Sequence, residues 1–120
     1  MSPNDLMFVV DAQLAHVWMV RAFLKHSDEA QEDEELAEVH RELYDYMLAL
    51  GGPLKEGNAD EYLKLARKKL GKLKKATEKF VEIQPQVSTH TNFQMAVASL
   101  RGAVGEVAKL LEERSDVVSS

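Results

Sequence analysis

Apolar residues recur at spacings of three and four in separate stretches of this chain. Leu36, Val39, Leu43, Met47 and Leu50 form one seam, and Leu63, Ala66, Leu70, Leu73, Thr77 and Phe80 a second. Val97, Leu100, Val104, Val107 and Leu111 form another. Such spacing places each set on one stripe of an α-helix, facing a core. No run of alternating apolar residues bounded by turn signals is found, so no strand is predicted.

Punctuation residues divide the chain into four predicted helices. Ser2-Pro3-Asn4-Asp5 reads as an N-cap with proline at the first helical position, opening a helix over 3–26. Ser27 and the acidic residues after it form a connection to a second helix over 32–50. Gly51-Gly52-Pro53 ends that helix, because glycine adopts the left-handed cap and proline cannot continue. Asn58-x-x-Glu61 opens a third helix over 59–84, which Pro85 closes. Thr91-x-x-Gln94 is a capping box for a fourth over 92–113, leaving 114–120 as a frayed tail. At about 1.5 Å rise per residue these helices are roughly 30–39 Å long. Short loops between helices of similar length favour antiparallel neighbours. The expected fold is all-α, an up-down-up-down four-helix bundle in a single domain spanning 1–120.

The first helix carries two stripes. Met7, Val10, Leu14, Val17, Arg21 and Leu24 form one; Phe8, Ala12, Ala15, Met19, Ala22 and His26 form the other, about 140–160° away at 100° per residue. A single core uses one stripe a little over 100° wide, so something else must cover the second. The fourth helix has a matching oddity: Ala98, Gly102 and Gly105 line the side away from its seam. Each helical glycine costs about 1 kcal/mol relative to alanine, and a smooth surface open to close approach by another helix would offset that. Two-fold dimers are the commonest oligomers. The expectation is a homodimer, or docking onto another protein, through Phe8, Ala12, Ala15, Trp18, Met19, Ala22, Ala98, Gly102 and Gly105.

Composition narrows the functional classes. The chain has 120 residues, a net charge of −5 and no cysteine. The charge argues against a wholly basic nucleic-acid binder. The absence of cysteine removes disulfides, thiolate metal sites and a cysteine nucleophile. The leading MSPND has no positive charge, and Asp11, Gln13, His16 and Arg21 interrupt the apolar run behind it. Secretory-signal and membrane-span readings are therefore disfavoured, and a cytoplasmic location is expected.

Charge is strongly partitioned. Residues 28–45 hold nine acids against one arginine, and 64–79 hold seven lysines and one arginine against one glutamate. The basic stretch, with Lys68, Lys72 and Lys75, offers an alternative nucleic-acid face. No aromatic alternates with the lysines as a single-strand platform requires. Complementing the acidic helix before it is the preferred reading.

Catalytic and metal patterns are sparse. A carboxylate-bridged metal bundle needs Glu-x-x-His pairs. Gln13, Phe23, Ala37 and Val87 stand three before the four histidines instead, so neither metal nor cofactor is expected. His40 reads as a histidine at the core edge. Arg21 and His26 have the Arg-x4-His spacing of the ribonuclease motif of HEPN domains, which are also small dimeric helical bundles. The resemblance covers two residues and an architecture, and the family's motif lies on a late helix, whereas this pair ends the first. It implies His26 as base and Arg21 as phosphate ligand. The structural alternative pairs Arg21 with a carboxylate of the second helix. His90, within STHTN (88–92), is the other catalytic candidate, although these residue types also cap helices. The chain reads as a non-enzymatic association protein.

Overall fold

The computed structural model describes residues 1–119, with side chains described through residue 112. It is all-helical, with no strand among the described residues: α1 Pro3–Lys25, α2 Asp28–Glu32, α3 Glu34–Glu56, α4 Ala59–Val87 and α5 Thr91–Ser119. Side chains write most of the starts. The Ser2 hydroxyl accepts from the Asp5 N–H at 3.1 Å, and the Asp5 carboxylate accepts from the Ser2 N–H at 3.4 Å, a reciprocal capping box. Asp33 and Asn58 accept from the N–H groups of Leu36 and Glu61 at 2.9 and 3.1 Å.

The expected boundaries need correction at several points. The first connection holds a helical turn, α2, because Ser27 accepts from the Ala30 N–H and donates to the Leu24 carbonyl. Gly51-Gly52-Pro53 does not end a helix; α3 passes through all three. Proline normally disfavours a helical residue before it by clashing with that residue's Cβ, which Gly52 lacks. The left-handed cap sits at Gly57 instead, with φ 68°. The Asn58 N–H donates to the Pro53 carbonyl at 2.9 Å and the Gly57 N–H to the Leu54 carbonyl at 3.1 Å, the paired bonds of a Schellman ending. Pro85 likewise lies inside α4, which runs on to Val87, a residue packed against the core. The α5 backbone is helical to Ser119, beyond the expected end at 113. The side chains of the expected tail lie outside the described residues.

One hydrophobic core links all five helices. Tyr62, Phe80, Leu14, Leu43 and Leu100 are completely buried. The Tyr46 hydroxyl donates to the Ala66 carbonyl at 3.0 Å and the Tyr62 hydroxyl to Asp11 Oδ1 at 3.1 Å, so each buried phenol has a partner. Burial pushes both phenols well above their ordinary range, and the Asp11 charge adds to this at Tyr62. Both α1 and α4 pack against α3 and α5. The described chain extends over 45 × 26 × 19 Å. By length and composition α1 could cross a membrane, with a mean hydropathy of 1.3 over its best window. Here its seam residues Val10, Leu14, Val17 and Leu24 are fully buried against the other helices.

Candidate association face

The second stripe of α1 stays open. Phe8, Ala12, Ala15 and Met19 all point away from the core, with Phe8 61% and Met19 65% exposed. Spacings of four, three and four stack them on one side of the helix, two alanines between two large side chains.

Two contacts fix how α5 lies beside α1. His16 Nδ1 is 3.3 Å from Ser99 Oγ, and the Phe23 and Phe93 rings meet edge-to-face with centroids 5.0 Å apart. The α1 numbers rise while the α5 numbers fall, so the helices run in opposite directions. One turn from His16 stand Ala12 and Met19; one turn from Ser99 stand Gly102 and Met95. Opposite direction therefore sets Met19 level with Met95, and Ala12 level with Gly102. Ala98, Gly102 and Gly105 are exposed, and a Cβ built on either glycine meets nothing within 4 Å. The two stripes read from separate parts of the sequence thus become neighbours. Together they make a low waist of small residues, bounded by Phe8 at one end and by Met19 and Met95 at the other. Met95, 59% exposed, is absent from the sequence reading; its place three residues before Ala98 was the available signal.

Trp18 falls on the other flank of α1, toward α3. Ala22 is half-buried. The Trp18 ring lies 6.3 Å from that of Tyr44, and the Arg21 guanidinium stacks on both, 4.2 Å from the Trp18 centroid and 5.1 Å from that of Tyr44. The expected carboxylate partner of Arg21 is not what the structure provides. At this level α3 presents Tyr44, while Glu42 and Asp45 turn toward Lys69 and Lys72 of α4. Cation–π contact takes the carboxylate's place.

The remaining candidates separate. His26 is exposed at the end of α1 and shares an open hollow with Ser27, Ser88, His90 and Asn92, which Arg21 does not line. The Arg-x4-His pair therefore does not converge. His90 caps α5: its Nδ1 accepts from the Asn92 N–H at 3.0 Å, and Ser88 Oγ accepts from the His90 N–H at 3.2 Å. Thr91 is the first residue of α5 rather than its cap, and the Gln94 side chain donates to the Thr89 carbonyl at 3.1 Å. The His90 ring is thus engaged by the Asn92 N–H, and the Ser88 hydroxyl meets the His90 backbone rather than its ring.

Across α3 and α4, Glu35, Glu38 and Glu42 face Lys72, Lys75 and Lys79 along a groove of about 430 Å³. Lys79 pairs with Glu35, whose hydrogen bond holds the ammonium above its ordinary range. Lys74 reaches Glu112 of α5 at 2.8 Å. Lys72 and Lys75 line this groove opposite the acids without an ion pair among the described residues, and Lys68 is exposed. His40 sits half-buried on the far side of α3; burial pulls its pKa down, and Arg41, Arg21 and Lys25 add to this. No group of three potential metal ligands occurs among the described residues. No protein-family model, curated protein or solved structure matches the chain.

Proposed function

We propose that this protein is a non-enzymatic helical association module that pairs with a second copy of itself through the outward face of α1 and the adjoining stripe of α5. The observation that carries this is the waist: small residues of two helices at one level, between exposed Phe8 and exposed Met19 and Met95. Exposed apolar patches of this kind on soluble chains mark contact sites. The face is complementary to itself. A two-fold axis through the waist lays waist on waist, and brings the Phe8 end of one copy onto the Met19/Met95 end of the other. Docking onto a different protein is the other form of the same reading.

The four long helices are read as an antiparallel up-down-up-down bundle with α2 in its first connection, acting in the cytoplasm. Opposite-running contacts between α1 and α5, and between α3 and α4, support this topology. Replacing Ala15 by glutamate tests the face, because a carboxylate there would be buried without a partner in the dimer. Light scattering should show the variant at monomer mass with an unchanged helical circular dichroism spectrum. A dimer that survives this change does not use this face.

A further inference from the structure

The flank of α1 that faces α3 holds a cation without a counter-ion. Arg21 is 91% buried by its 9% residual exposure, and its Nε finds no hydrogen-bond partner. Its terminal nitrogens are neither buried nor bonded within the described residues, so the tip of the fork reaches solvent between Trp18 and Tyr44. A buried charge left unpaired is costly, and stacking on two rings offsets only part of that cost. Lys25 and Arg41 reinforce the positive potential here, which is why both contribute to holding His40 neutral.

The two rings that hold the fork, Trp18 and Tyr44, also line an apolar groove of about 380 Å³ that Arg21 itself does not line. Trp18 and Tyr44 form one end, Met47 and Leu48 the floor and wall, and Lys55 the other end. Gly51 and Gly52 keep its α3 side low, with nothing within 4 Å of where their Cβ atoms would stand. Leu48 is 62% exposed. The twelve residues from Tyr44 to Lys55 span about 16 Å of helix.

We infer that this is a docking site for an acidic side chain carried beside a bulky aliphatic one on a segment of another protein. The carboxylate seats on the outward edge of the Arg21 guanidinium, and the aliphatic side chain lies in the groove against Trp18, Tyr44 and Leu48. Charge complementarity selects the occupant. The fork's paired N–H groups match a carboxylate two-to-two. The two oxygens of a carboxylate are both used by one fork, whereas a phosphate bound by the same fork keeps at least one charged oxygen unmatched. The rings hold the guanidinium in place before anything binds, so little order is lost on docking. The site lies on the opposite flank of α1 from α5 and does not require self-pairing.

The test uses the full chain and the resonance of its single tryptophan, Trp18, during titration with acetyl-Leu-Glu-amide. Saturable millimolar binding is expected, with acetyl-Leu-Gln-amide at least tenfold weaker. Acetyl-Leu-phosphoserine-amide should bind no better than the glutamate peptide. Arg21→Gln should abolish the difference between glutamate and glutamine, and Tyr44→Leu, which keeps the charge but removes one wall, should weaken binding severalfold. Equal binding of the glutamate and glutamine peptides to the wild-type chain would overturn the proposal, whether or not the Arg21 variant folds. Preference for the phosphoserine peptide would overturn the carboxylate assignment.

Discussion

Gly51 and Gly57 sit six residues apart and should respond to alanine with opposite signs. Gly51 lies inside α3 with helical backbone, exposed, and an added Cβ meets nothing within 4 Å. Alanine there removes only the entropic handicap of glycine, worth roughly 0.5–1 kcal/mol in favour of the folded state. Gly57 also has open space around it, but its φ of 68° forces an added Cβ toward a carbonyl oxygen. That conformation costs an L-residue about 1–2 kcal/mol. For a chain of this size, 1 kcal/mol moves the melting temperature by about 3–5 °C. Thermal unfolding followed by circular dichroism should therefore place Gly51→Ala a few degrees above wild type and Gly57→Ala several degrees below. Gly52 is unsuitable for the comparison, because its missing Cβ relieves the contact with Pro53. Destabilisation by Gly51→Ala, with Gly57→Ala neutral, would mean that the helix ends at Gly51 and that the path through Pro53 is wrong.

Other outcomes follow from the same packing. Leu43→Ala and Leu100→Ala each empty a fully buried site and should cost about 2–5 kcal/mol in urea unfolding. Replacing Lys68, Lys72 and Lys75 together by glutamine should change stability by at most about 1 kcal/mol per pair lost, since these are exposed charges. Nucleic-acid binding that disappears in this variant would contradict the reading of Lys72 and Lys75 as complements of the α3 acids across their groove. The lowered pKa of His40 makes the unfolded chain bind more protons than the folded one below about pH 6.5. Stability should thus fall as pH drops from about 6.5 toward the folded pKa and then level off with respect to this group. His40→Gln should remove that part of the slope, and an unchanged slope would show that His40 is not held neutral.

The seams were legible in the sequence because burial against neighbours decides them, and their large aliphatic residues fall on one stripe of each helix. Helix ends were less so. Gly51-Gly52-Pro53 carries every local stop signal, yet Leu54 and Val87 pack on the core and draw α3 and α4 past their prolines. Tertiary burial outweighs the local preference at both places. Ser27 illustrates the reverse: a small polar residue among acids looks like loop, but its hydroxyl caps a turn that buries Ala30.

The association face was half visible. Periodicity placed Phe8, Ala12, Ala15 and Met19 on one stripe and Ala98, Gly102 and Gly105 on another. That the two stripes adjoin depends on α1 and α5 being neighbours with His16 level with Ser99, which no local spacing encodes. Trp18 was assigned to the same face because it is large and close in number. One residue is about 100° of rotation, and that carries it to the α3 flank. Arg21 misled for a related reason: the acids of the next helix are abundant, but their angular positions turn them toward the lysines of α4.

Sedimentation equilibrium of the wild-type chain over micromolar concentrations tests the central claim most directly. Self-pairing through the α1/α5 waist predicts a concentration-dependent rise to twice the 13.5 kDa chain mass. Gly102→Leu should hold the mass at that of one chain, by placing a bulky side chain where two waists meet. A single 13.5 kDa species at every concentration would contradict self-pairing, as would a dimer that forms equally well with leucine at position 102.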